Sequence, residues 1–312
     1  MSTREMATAA GTLLAALTDG QRAEAALPFD DDAARRWIEY RPQPRPGACL
    51  AELTPAARKA AHRLLATALG PHAYAQALAI VSLEEVLDRV EGWRRGRHSG
   101  DYWVSVYGDP AGDAPWSWRF EGHHLSVSMA VVDGAVSPSP VFLGANPHRV
   151  DWHGHTVSRP LAPEEDLAFA LLEAAGPAGR AAAVVADDAP EDIHSGQSAR
   201  APGRLEPLGV ARGALPAPAR ELLDRLVDLY VARVPALAAE IGEPHFAWAG
   251  PTTPGTRHYY RVQGEDLLIE YDNTSEDGNH AHTVLRRPRS DFGADLLARH
   301  RASAHQAGPQ RG

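Results

Sequence analysis

Residues 257–272 read RHYYRVQGEDLLIEYD, and this stretch decides the fold. Aromatic and β-branched residues alternate with polar ones on either side of Gly264-Glu265. That is the pattern of two half-buried strands joined by a tight turn. Arg257–Val262 and Asp266–Asp272 are therefore predicted as an antiparallel hairpin. A two-residue turn sets Tyr259 opposite Glu270 and Arg261 opposite Leu268, with Glu270 and Asp272 on one face. A third strand is expected over His280–Arg286, after the polar loop Asn273–Asn279. Pairing Asp272 with His280 puts Glu270 beside His282, so one face carries two carboxylates and two histidines. A one-residue slip separates the histidines from the carboxylates, yet His280 and His282 share a face in either register.

Working outward, Tyr102–Tyr107 and Trp116–Val132 show the same alternation, and Pro138–Asn146 reads as a short strand and turn. Within WSWRFEGHHLSVSM (116–129), alternation gives His124 the face of Trp118 and Phe120, and His123 the face of Arg119 and Glu121. Only one of the two histidines looks into a given site unless Gly122 carries a bulge. Residues 1–92 are helical in composition, with Met6–Leu17, Gln21–Ala26, Pro55–Leu69 and Leu83–Gly92 as the segments and Arg41–Gly47 as a proline-rich loop. Pro163–Ala174 and Pro216–Ile241 are further helical stretches, and Asp187–Gly213 is a long loop between them. Loops of that length are functional or mobile. Asp291–His300 reads as a last helix, followed by a disordered tail over 301–312. The expectation is one α+β domain, with the helices of 1–92 packed on a mixed or antiparallel sheet built within 93–300. Residues 101–150 and 257–287 are expected to share that sheet.

The 312 residues carry a net charge of −9, and Lys59 is the single lysine. An acidic chain of this kind is not built for non-specific nucleic-acid binding. No apolar run approaches the ~20 residues of a membrane span. Met1–Thr18 lack the pattern of a signal peptide, and Cys49 alone forms neither a disulfide framework nor a multi-cysteine metal site. A cytoplasmic setting is expected. Phosphate-binding loops, Rossmann glycines and Gly-x-Ser-x-Gly elbows are missing from the sequence.

What remains is histidine and carboxylate chemistry. Two imidazoles at i and i+2 on a strand converge without an ordered loop, and a third histidine with a carboxylate completes a set for Zn, Fe, Mn or Cu. The candidate ligands are His123, His124, His258, Glu270, His280 and His282. His258 alternates with Tyr259 and ranks below His282. The competing structural reading is a hydrogen-bonded polar cluster that orders the sheet. His153 and His155 flank Gly154 in a segment that reads as an exposed loop, and Asp187, Asp188, Glu191 and Asp192 read as a solvated acidic face.

WSWRFEGHHL (116–125), VFLGANP (141–147), FAWAG (246–250), HYYRVQG (258–264), IEYDN (269–273) and NHAHTV (279–284) occur in this order. With these motifs the chain resembles the bacterial and fungal domain-of-unknown-function family 3500 over most of its length. The resemblance brings no activity. The residues themselves point to a metal-dependent hydrolase acting on a small molecule, with Glu270 as ligand or general base. Tyr259 is a further catalytic candidate, and Arg261 or Arg119 would meet negative charge. An Fe or Cu oxidoreductase is the second reading, with Trp116, Trp118, Tyr259 and Tyr260 lining an aromatic pocket. A non-catalytic ligand-binding protein is the third.

Overall fold

The computed structural model describes residues 2–237 and 241–306. One mixed sheet takes strands from both halves of the chain, as expected. Its main strands are β1 (Tyr102–Tyr107), β2 (Trp116–Gly122), β3 (Leu125–Val132), β4 (Val141–Ala145), β5 (His245–Ala249), β6 (Tyr259–Gln263), β7 (Leu268–Ser275) and β8 (His280–Arg286). Their order is β1-β2-β3-β4-β8-β7-β6-β5, and every neighbouring pair in this run is antiparallel. Short parallel strands extend both edges, Ala26–Leu27 beside β1 and Val184–Ala186 beside β5. The join between β4 and β8 brings residues 101–150 and 257–287 onto one surface.

The two faces of this sheet differ in chemistry. One is apolar: Val104, Trp118, Phe120, Val127, Leu143, Tyr260, Ile269, Tyr271 and Leu285 all lie in the main core. Helices α1 (Thr3–Ala16), α2 (Pro55–Ala68), α3 (Pro71–Val90), α4 (Ala162–Ala174) and α5 (Ala217–Val231) supply the other half of that core. Thr54 caps α2 and accepts from the Ala57 amide, with Pro55 in the first turn. None of the described helices is long and apolar enough to cross a membrane.

The opposite face carries Arg119, Glu121, Tyr259, Arg261, Glu270, Asp272, His282 and Arg286, all buried. They are covered by irregular chain, residues 36–47 and 187–209. Irregular backbone can be buried only if its polar groups find partners. The sheet side chains provide them. Arg286 donates to the carbonyls of Ser198 and Ala199, Gln263 to that of Leu205, and Arg261 to that of Pro207. Ile38, Tyr40 and Ile193 from the covering segments pack on Phe142 and Val284 as a small second core.

Several local expectations are corrected. The hairpin pairs Tyr259 with Asp272, Arg261 with Glu270 and Gln263 with Leu268, two residues from the predicted register. The connection is four residues, Gly264–Leu267, rather than two, closed by the Gly264 amide on the Leu267 carbonyl at 2.9 Å. A two-residue shift leaves every side chain on its predicted face. Strand β7 continues to Ser275, and a bulge after Asp272 pairs Asp272 with His282 and Ser275 with His280. Trp116–Val132 is a hairpin rather than one strand, with His123-His124 as its two-residue turn. The stretch after Pro216 is helical to Val231; residues 238–240 of it lie outside the described residues. The last helix runs to Gln306, so only 307–312 of the expected tail fall outside the described residues.

Candidate metal centre

Three histidines meet on the polar face. His280 and His282 project from β8, as the alternation required. His124 comes from the β2–β3 turn, where its backbone adopts φ 59°. A left-handed φ is unusual for histidine, and here it aims the ring back over the sheet. The His124 amide donates to the Tyr40 carbonyl at 2.9 Å, and its carbonyl accepts from the Gly144 amide at 2.7 Å. Gly144 sits beside the ring, and a Cβ there would lie 2.8 Å from His124 Cδ2. A glycine inside a strand signals such a close approach.

The Nε2 atoms converge. His124 Nε2 lies 2.8 Å from His280 Nε2, which lies 3.1 Å from His282 Nε2. The outer nitrogen of His282 faces two carboxylates, and that of His280 meets an amide NH2 donor as well as a carboxylate. His282 Nδ1 is 3.0 Å from Asp192 and 3.4 Å from Asp272. His280 Nδ1 is 3.2 Å from the Asn146 side-chain amide and 3.4 Å from Glu276. At His282 the two carboxylates hold the Nδ1 proton, which leaves Nε2 as the inward-facing ligand atom. Burial and neighbouring charges drive His124 well below the usual imidazole range, and burial with the charge of His282 takes His280 down to about 3. His282 is the opposite case: burial opposes its charge, but Asp272 and Asp192 outweigh burial and lift it to about 10. The unprotonated rings of His124 and His280, with His282 once it gives up its proton, gather their Nε2 atoms on one point and fit a divalent cation, whose binding displaces that proton.

His123 turns away from this point. Its Nδ1 bonds to Glu84, and Arg97 stands 3.4 Å from the same nitrogen and 3.8 Å from Glu84. The His123 ring packs on that of His124, with centroids 3.8 Å apart. Tyr40 closes the other side: its ring stacks on Phe142 at 4.0 Å, lies 5.1 Å from the His282 ring, and its hydroxyl donates to Asp192 at 2.7 Å.

The remaining predicted site residues lie elsewhere. Glu270 is fully buried, faces Val284 and Arg261 across the ladders, and accepts from the amides of His194 and Ser195 and from the Tyr259 hydroxyl. Asp272 takes the place by His282 that was expected for Glu270. Tyr259 and Arg261 serve the covering loop, and Arg119 pairs with Glu121 at 2.7 Å. His258 is corrected most. It is sandwiched between Trp248 and Tyr271 at the end of the apolar face, with Nε2 3.8 Å from Glu165. Glu165, His148, Arg159 and Asn273 there line a separate cleft of about 840 Å³. Trp116, Trp118 and Tyr260 face the helices, so the expected aromatic pocket does not form.

Asp192, Tyr40 and Glu84 were not singled out as site residues. Asp192 sat in an acidic run that reads as solvated, while Tyr40 and Glu84 carry no local signal. Gly144 and Asn146 belong to VFLGANP, where a glycine in a strand was the available clue.

Fold and site together define an α+β protein whose polar sheet face holds a largely buried three-imidazole cluster. Within that class, the family model described as "Protein of unknown function (DUF3500)" matches residues 1–294, and the chain belongs to this family. No curated protein and no solved structure matches the chain.

Proposed function

We propose that the protein is a metal-dependent hydrolase in which His124, His280 and His282 hold one divalent transition ion. The observation that carries this reading is the convergence of three Nε2 atoms at 2.8 and 3.1 Å, with the outer nitrogen of His282 held by Asp192 and Asp272. Three imidazoles with an open fourth position suit catalytic zinc. Such an ion, when bound, acts as a Lewis acid that lowers the pKa of water and polarises a carbonyl or phosphoryl oxygen. The side chains around it divide the remaining work. Asp192 and Asp272 orient His282 and raise its basicity. Arg97, paired with Glu91 at 3.0 Å and lying 3.4 Å from His123 Nδ1, braces the His123 ring on which His124 packs.

An iron or copper oxidoreductase is the second reading, supported by the phenol of Tyr40 packed against His282. Elemental analysis of protein purified without an affinity tag separates the two. One equivalent of zinc, with turnover of activated carboxylic or phosphate esters that His280→Ala abolishes, supports hydrolysis. Iron or copper with oxygen uptake in the presence of a reductant supports the second. Metal content equal in wild type and His280→Ala removes the centre from both.

A further inference from the structure

The covering segment 187–209 is held on both sides of Asp192. Before it, the Thr274 hydroxyl donates to the Glu191 carbonyl at 2.9 Å. After it, the amides of His194 and Ser195 donate to Glu270 at 2.7 and 3.1 Å. Between them, Asp192 reaches His282 and Tyr40, and Ile193 enters the small core with Phe142 and Val284. Glu270 is an unusual anchor. It is fully buried, and Arg261, directly opposite in the ladder, gives its guanidinium to the Pro207 carbonyl instead. Among the described residues its carboxylate is met by N–H and O–H donors, two of them from consecutive residues of the loop. A carboxylate so placed is matched to one backbone conformation of residues 193–195, and that conformation delivers Asp192 to His282.

Resting on the metal reading above, we propose that docking of segment 187–209 and metal binding at His124, His280 and His282 are thermodynamically linked, with Glu270 as the positioning residue. The docked loop presents Asp192 to His282 and raises affinity for the ion. By reciprocity, the ion must stabilise the docked loop by the same factor. Glu270 touches no ligand imidazole, so its influence on the metal passes through the loop. Gln at 270 turns an NH2 group toward a backbone N–H or the Tyr259 hydroxyl, and so opposes docking without changing size.

The test uses the full chain and two readouts. The first is hydrogen exchange of peptides covering 190–196, with and without one equivalent of zinc, with the exposed hairpin 150–158 as control. The second is cobalt(II) affinity and its visible spectrum in wild type, Glu270→Gln and Thr274→Val. The expected result is that zinc slows exchange of 190–196 and leaves 150–158 unchanged, while Glu270→Gln lowers cobalt affinity by roughly tenfold or more, in the range of outer-shell changes. Thr274→Val gives a smaller loss in the same direction and serves if Glu270→Gln does not fold. If wild type binds one equivalent but exchange of 190–196 is indifferent to it and affinity is unchanged in the foldable variants, the linkage is wrong and the metal reading stands. If wild type binds no ion at these histidines, both fall.

Discussion

His280 Nε2 has two imidazole nitrogens as neighbours, His124 Nε2 at 2.8 Å and His282 Nε2 at 3.1 Å. A neutral imidazole carries one N–H and one lone pair. His282 is protonated between Asp192 and Asp272, so the single lone pair of a neutral His280 meets two neighbours at once, and a cation that displaces the His282 proton takes one lone pair from each ring. The partners on the outer nitrogens set which variants will disturb the metal and which the fold.

His280 and His282 should therefore respond differently to alanine. His280 is partly exposed, and its loss should lower metal affinity by at least tenfold with little change in stability. His282→Ala removes the counter-charge of Asp272, which is almost fully buried. Stability should drop as well, by about 3–5 kcal/mol, the cost of leaving a buried charge unpaired. Metal titration and denaturant unfolding of both variants check this; equal stability losses would count against the pairing.

Gly144→Ala tests the space beneath His124. The added methyl lies 2.8 Å from His124 Cδ2 and 3.0 Å from the Ala281 carbonyl, so the ring must move. Overpacking of this kind costs about 1–3 kcal/mol. The expected outcome is a folded protein with weaker metal binding and a perturbed cobalt spectrum. An unchanged spectrum would place the ligand set elsewhere.

Tyr40→Phe keeps the ring on Phe142 and removes the hydroxyl from Asp192. Metal affinity is expected to fall by about 10-fold, at the lower end for outer-shell partners. Isothermal titration with zinc measures it, and an affinity equal to wild type would remove Tyr40 from the support of Asp192.

Glu165 should govern acid stability away from the three-imidazole cluster. Burial raises its pKa, but the hydrogen bond and charge of His148, with Arg159, outweigh burial and hold it at about 2. A depressed carboxylate stabilises the fold above its unfolded pKa of about 4.5 and loses that contribution as pH falls toward 2. Unfolding free energy should thus decline between those values, by on the order of 1–3 kcal/mol from this group. Glu165→Gln should flatten the decline; a profile unchanged by the substitution would show that another group carries it.

Much of the architecture was legible in the sequence because period-two alternation fixes which face a side chain takes. That was enough for the hairpin at 259–272, for His280 and His282 on one face, and for the shared sheet of the two strand-rich regions. The six ordered motifs were enough for the family. Alternation does not fix partners, since a two-residue shift preserves every face. The exchange of Glu270 for Asp272 beside His282 was invisible for that reason.

Other decisions belong to the tertiary structure. Whether His123 or His124 joins the site depends on a turn in which His124 takes a left-handed φ, held by Tyr40 and Gly144 from distant segments. Asp192 reaches His282 across 90 residues of chain only because Glu270 and Thr274 pin a loop that reads locally as solvated. His258 faces away from the site, as its alternation with Tyr259 allowed, but its place between Trp248 and Tyr271 was set by packing of distant strands. Local pattern encodes direction relative to a sheet. Bringing three imidazoles and two carboxylates to one point requires loop closures whose free energy comes from packing across the whole fold.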